Sequence, residues 1–375
     1  MDRLVKTQKY TFAFSPYEFV LESGEKLGPI TVAYETYGTL NQRGDNAVLI
    51  LHALTGSAHA AGYHTPGDRE PGWWDPLIGP GKVIDTNRYF VVCSNVLGSC
   101  YGTTGPASIN PRTGKPYGMD FPTVTIRDMV RVQKRLLDHL GVKHLIAVIG
   151  GSMGGMQALE WAVTYPGYMD CVIPIATSAQ LTPQCIAFNA VQREAIMQDP
   201  DWCGGDYYPG PGPVRGLALA RMIGMITYKS DELWNRRFGR DFGGPDEKCF
   251  DFSGRFEIEN YLHYQGDKLV KRFDANCYIY LAKAMDLHDI ARGYDSLEEA
   301  LRRIRSIVIC IGISSDILFP PYLLRQLVED LLFLGKRAKY VELKSSHGHD
   351  AFLVEFERLG AILRQFFLAI EAVAV

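Results

Sequence analysis

The sequence has no excess of one charge. Its 39 Lys and Arg stand against 42 Asp and Glu, a net −3, and the isoelectric point is about 6.3. A nucleic-acid surface needs a basic face, so nucleic acid is not an expected partner, although NRRFGR at 235–240 is locally basic. No apolar run reaches membrane-spanning length, and the opening MDRLVKTQKYTFAF has no apolar core of signal-peptide length. These absences predict a soluble, cytoplasmic protein with no membrane partner. Clustered cysteine is lacking too. Cys93, Cys100, Cys171, Cys185, Cys203, Cys249, Cys277 and Cys310 are scattered, none forms C-x-x-C, and none lies near a histidine at metal-ligand spacing. Buried reduced thiols and no bound metal are the expectation. There is no internal repeat and no low-complexity tract.

What the chain does have is bulk and alternation. With 375 residues and 47% hydrophobic content it can bury a large core, and it exceeds a mean single domain. Residues 10–37 read as antiparallel strands turned at Gly24 and at Gly28–Pro29. Strands are expected at 47–56, 89–98, 144–150 and 171–177. A helix is expected over 125–142, opened by a Thr125/Asp128 capping box and closed at Gly141, and another from about Gly155 to Tyr165. Such alternation predicts an α/β fold: a mostly parallel central sheet with helices on both faces. From 182 to 295 the rhythm turns helical and aromatic, broken by the loop GGDYYPGPGP at 204–213. Alternation resumes with strands at 306–316 and 339–345, a helix around 322–334, and a last helix from about 350 bearing Phe352, Phe356, Leu359, Leu363 and Phe366. The predicted organisation is a core domain of residues 1–181 and 296–375, split by a helical lid domain of residues 182–295. An insertion late in a parallel sheet lies over the strand C-termini, where such sheets bind ligands.

The chemistry is concentrated in Gly150-Gly151-Ser152-Met153-Gly154, a G-x-S-x-G between a strand and a helix. This is the pattern of a nucleophile elbow, in which small residues let strand and helix close on an exposed serine. Ser152 then needs an acid and a histidine, in that chain order. Asp316 follows the strand 306–312. His347 and His349 both follow the next strand, and His349, beside Gly348 at the entry to the final helix, is preferred. His52 ends a strand but precedes the serine, so a structural role in its turn is expected. The oxyanion of a tetrahedral intermediate needs two N–H donors. Leu54, in the loop LHALTGSAH at 51–59, and Met153 are the candidates.

Taken together, HALTG, GTTGP (102–106), GGSMGGMQALEW (150–161), SSDILFPP (314–321) and GHDAFL (348–353) resemble the homoserine O-acyltransferase family of the α/β-hydrolase fold, most closely its acetyl-transferring branch. The resemblance runs nearly the whole chain. It implies ping-pong transfer from acetyl-CoA, a cosubstrate rather than a permanent cofactor, through an acyl-Ser152 to L-homoserine, in methionine biosynthesis. It also implies Arg221 for the homoserine carboxylate, Tyr228 as its hydroxyl partner, Asp350 for the ammonium, and a homodimer through the lid. The residues leave a succinyl donor, for which Arg193 or Arg215 would supply the extra cation, a serine acceptor, and a hydrolase on the same triad as alternatives. Aromatics in YLHYQ (261–265) and FDANCYIYLAKAM (273–285) are expected at the surface, as subunit contacts.

Overall fold

The computed structural model describes residues 4–244 and 250–373; Cys249 lies outside them. The elements in order are β1 (Gln8–Phe12), β2 (Phe19–Val20), β3 (Lys26–Leu27), β4 (Ile30–Tyr37), β5 (Ala47–Leu51), β6 (Ile78–Gly79), β7 (Ile84–Asp85), β8 (Phe90–Ser94), α1 (Ile126–His139), β9 (Leu145–Gly151), α2 (Met153–Thr164) and β10 (Met169–Ile175). Five helices follow without a sheet strand: α3 (Pro183–Met197), α4 (Val214–Tyr228), α5 (Asp231–Phe238), α6 (Glu257–Val270) and α7 (Ala275–Asp286). Then come α8 (Leu297–Arg303), β11 (Ile307–Ile313), α9 (Tyr322–Phe333), β12 (Ala338–Leu343) and α10 (Phe356–Val373).

One eight-stranded sheet carries the fold, in the order β1-β4-β8-β5-β9-β10-β11-β12. The β1/β4 and β4/β8 pairs are antiparallel, and every pair from β8 to β12 is parallel. The central strands read as unbroken apolar runs because both faces are covered. Alternate residues feed two cores: Leu49, Val92, Val148 and Val308 enter one, while Ile50, Val91, Ile149 and Ile309 enter the other. Burial of each such side chain is worth about 1.5–3 kcal/mol. At the start of α1, Thr125 and Asp128 form the expected capping box.

Because β5, β9, β11 and β12 are parallel, the segments that follow them share one edge of the sheet. Those segments carry His52–Leu54, Ser152, Asp316 and His349. The last helix differs from expectation. Residues 348–353 form a 3-10 turn, α10 begins only at Phe356, and Phe352 lies outside it. The cause is tertiary: the Trp74 indole N–H donates to the Phe352 carbonyl at 2.9 Å, which is thereby engaged outside α10. The aromatics of 273–285 are a second correction. Tyr278 and Tyr280 on α7 are buried in the core, because α7 packs inward against α3. Tyr264 on α6 is exposed, as expected, and Tyr261 is half-buried against Trp234 and Phe238.

The constraint that positions the site lies at the turn between β9 and α2. A Cβ on Gly154 would sit 2.2 Å from the Leu51 carbonyl oxygen of β5, and one on Gly150 would sit 2.5 Å from the Gly154 carbonyl carbon. Gly154→Ala must therefore push α2 off the sheet. The expected loss is about 3 kcal/mol, the upper end for overpacking. Gly167→Ala, where a Cβ meets nothing within 4 Å, should stay within about 1 kcal/mol of the parent. Urea unfolding of the two variants measures the difference, and equal midpoints would contradict this packing.

Candidate active site

Ser152 sits between β9 and α2 with φ 58° and ψ −123°, a region L-residues rarely occupy and one that costs about 1–3 kcal/mol. The strain is held from both sides. The Ser152 N–H donates to the Ile175 carbonyl of β10 at 2.9 Å, while its own carbonyl accepts from Gly155 and Met156. Met153, as the first residue of α2, has an amide with no acceptor inside the helix. The positive end of α2 is thus directed at the serine's surroundings.

Asp316 follows β11 and is buried. Its Oδ1 accepts from the amides of Leu318 and Phe319 at 2.8 and 2.9 Å, and its Oδ2 lies 2.7 Å from His349 Nδ1. The N-cap-like geometry and the histidine contact therefore coexist in one carboxylate. The His349 ring is enclosed by Phe319, Phe352 and Tyr228. Its Nε2 is buried without a hydrogen-bond partner. An imidazole that donates from Nδ1 to a carboxylate keeps Nε2 as an acceptor, so the free nitrogen is the basic one. Burial pushes the His349 pKa down, but the charge of Asp316 and the hydrogen bond to it outweigh burial and hold it above its ordinary value; Asp350 adds to this and Lys229 opposes it.

Ser152, His349, Leu54, Arg221, Tyr228 and Asp350 line one cavity of about 540 Å³. A second, small cavity of about 20 Å³ adjoins it, sharing Ser152, Leu54 and Tyr228, with Cys185, Gln192 and Met285 in its wall. A larger depression of about 660 Å³ elsewhere, walled by Tyr17, Arg131 and Tyr165, has no nucleophile–base pair. The predicted serine, histidine and substrate-binding residues are thus brought together, while His347 and His52 stand apart. His347 borders neither cavity with Ser152 and is tied by its N–H to Ser345 Oγ. His52 is a buried turn residue: Nδ1 lies 2.8 Å from the Ala53 carbonyl and Nε2 accepts from the Val96 amide, and burial pushes its pKa down to about 4.

The cavity also holds an uncompensated cation. Arg221 stands over the Tyr228 ring at 5.5 Å, its buried Nε has no partner, and no carboxylate pairs with it among the described residues. Asp350 by contrast is already engaged, with Oδ2 2.8 Å from Lys229 Nζ. Sequence reading did not find Lys229, nor Lys268 and Arg272 at the cavity wall. Arg272 is fixed there by the Thr55 carbonyl and the Tyr101 hydroxyl. No local motif announces these three; they arrive through α4, α6 and the segment after α6. Arg193 and Arg215 line neither cavity. Arg193 is paired with Asp286 and Arg215 is exposed.

The sheet order, the strained turn at Ser152 and the acid and histidine after the last two strands define an α/β-hydrolase-fold protein, and the family model for that fold matches residues 46–356. Curated homoserine O-acetyltransferases are similar over almost the whole length. The one from Carboxydothermus hydrogenoformans is 61% identical, covering 97% of this chain and 95% of its own. The one from Moorella thermoacetica is 62% identical, covering 92% of each. The chain belongs to the homoserine O-acetyltransferase family. The solved homoserine O-acetyltransferase of Bacillus anthracis superposes with a TM-score of 0.91 at 37% identity, covering 97% of each chain. Esterase E22 is also similar, with a TM-score of 0.89 at 34% identity over 97% of this chain and 100% of its own.

The electrostatics of His349 make a prediction independent of turnover. Its ring should titrate above 6.5, the ordinary value. In Asp316→Asn the leading upward cause is gone, burial dominates, and the ring should titrate below 6.5. NMR of the His349 ring protons across the pH range measures both. An unchanged midpoint in the variant would contradict the coupling.

Proposed function

We propose that the protein transfers an acetyl group from acetyl-CoA to the γ-hydroxyl of L-homoserine through an acetyl-Ser152 intermediate. The observation that carries this reading is the Arg221 guanidinium, which lacks a carboxylate partner in the same cavity as Ser152 and the free Nε2 of His349. Water as acceptor gives such a cation no role; an amino acid does.

In this reading Ser152 Oγ attacks the thioester carbonyl and its proton passes to His349 Nε2. Asp316 holds the imidazolium that forms. The oxyanion accepts hydrogen bonds from the Leu54 and Met153 amides. CoA leaves as the thiol, taking the proton from His349. Homoserine enters with its carboxylate on Arg221, beside the Tyr228 hydroxyl, and its ammonium on Asp350, whose far oxygen is oriented by Lys229. Its γ-hydroxyl gives a proton to His349 Nε2 and attacks the acyl carbon. Collapse releases O-acetylhomoserine and returns the proton to Ser152. The helical segment 182–295 acts as a lid domain on the core, and Lys268 and Arg272 at the cavity wall receive the phosphates of CoA.

The small cavity favours acetyl. A space of about 10–15 Å³ is enough for one water-sized group, and this one is about 20 Å³ with no charged side chain in its wall. A methyl fits. The carboxylate of a succinyl group has neither room nor a cation. A homodimer through the lid is supported by Leu219 and Ile226, exposed and two turns apart on α4, and by Val191 on the adjoining α3. A cytoplasmic location is supported by the unpaired state of the described cysteines. The likeness to esterase E22 favours a second reading, hydrolysis, in which water replaces homoserine.

Thiol release separates these. Acetyl-CoA alone should give a burst of one equivalent per site, with sustained turnover only after homoserine is added. Succinyl-CoA should give little of either. Arg221→Ala should keep the burst and lose the second half-reaction by tens- to thousands-fold, as for a charge-assisted contact worth about 2–5 kcal/mol. Sustained release without homoserine would establish hydrolysis instead. An equal burst from succinyl-CoA would remove the cavity argument.

A further inference from the structure

Glu35 on β4 meets two histidines from the loop after β5. Its Oε2 lies 3.0 Å from His59 Nδ1 and its Oε1 lies 2.7 Å from His64 Nε2. The two imidazole centroids are 3.9 Å apart, and the three ligand atoms all fall within 4.8 Å of one another. The Glu35 side chain is 1% exposed, that of His59 17% and that of His64 44%. We propose that Glu35, His59 and His64 form a binding site for a divalent transition metal of the zinc type, with the fourth position open to water on the His64 side.

Three features support it. The donor set is right: two imidazoles and a carboxylate suit zinc, which accepts three protein ligands and a water. The spacing is nearly right. Ligands about 2.1 Å from one zinc ion stand about 3.0–3.4 Å apart; the two Glu35–histidine contacts, at 3.0 and 2.7 Å, are already that close, and the remaining separations, all within 4.8 Å, close on the ion by a shift of the half-exposed His64 ring. The surroundings are built to hold the carboxylate. The Tyr37 hydroxyl donates to Oε2 at 2.8 Å and itself accepts from the amides of Ala60 and Ala61, while Thr7 Oγ1 donates to Oε1 at 2.8 Å. Such outer contacts orient ligands and tune affinity. The His64 amide is in turn fixed by Asp68 at 2.8 Å, and the exposed edge of His64 is the entry path.

The site spans elements far apart in sequence, which is why residue spacing did not disclose it. It is distinct from the serine cavity but joined to it, because His59 also lines that cavity. A bound ion would pin the loop that carries His59 to β4 and to Thr7, and so stiffen one wall.

The test uses the full-length protein stripped with a chelator and titrated with zinc chloride by calorimetry, and with cobalt chloride by visible absorption. The wild type should bind one equivalent of zinc with micromolar or tighter affinity, and cobalt should show d–d bands of a low-coordinate nitrogen/oxygen site. His64→Ala should weaken zinc at least tenfold and abolish the bands. Since His64 is half-exposed, this variant is expected to fold, and His59→Ala gives the same reading if it does not. Wild-type binding well below one equivalent, or a His64→Ala affinity within tenfold of wild type, would overturn the proposal.

Discussion

The close approach of α2 to the β5 and β9 backbones governs this molecule. With Gly154 against Leu51 and Gly150 against Gly154, no side-chain atom separates the first turn of the helix from the sheet. The chain can make that turn only by forcing Ser152 to positive φ. Strain is stored at one residue, and the large parallel sheet, buried on both faces, holds it there. The amide of Met153 and the hydroxyl of Ser152 are set at the sheet edge by the same turn. Gly151 belongs to this constraint as well. Its missing Cβ leaves room for the Phe352 ring, so the wall behind the serine is built by the turn that also carries His349.

Around that fixed point the remaining groups converge from three directions. Asp316 comes from the end of β11, His349 from the turn after β12, and Arg221, Tyr228 and Lys229 from α4 and its end. The last two directions are physically joined. Gly348, at φ 68°, is pressed against the backbone of Lys229 and Ser230, and Ser230 Oγ donates to the Ser346 carbonyl. A change that moves α4 therefore moves the histidine turn. This contact places Arg221, Tyr228 and His349 in one cavity.

Much of this was legible in the sequence because it is local or ordered along the chain. G-x-S-x-G between a strand and a helix announces Ser152, and Asp316 and His349 follow from their order after it and their places past strands. What escaped depends on packing. Lys229 faces Asp350 only once α4 lies on the 3-10 turn. Phe352 keeps helical spacing with Phe356, yet Trp74 takes its carbonyl and the helix starts later. Tyr278 and Tyr280 look like surface aromatics in an insertion, but α7 is an inner helix. Glu35, His59 and His64 have no motif, since β4 and a loop beyond β5 bring them together.

The central claim is that one serine hydroxyl carries the acyl group between two substrates. Intact-protein and peptide mass spectrometry after brief exposure to acetyl-CoA without homoserine tests it most directly. The account predicts a mass gain of one acetyl group, confined to the peptide containing Ser152, lost on adding homoserine and absent from Ser152→Ala. An acetyl group on a cysteine or lysine, or one retained in Ser152→Ala, would contradict it.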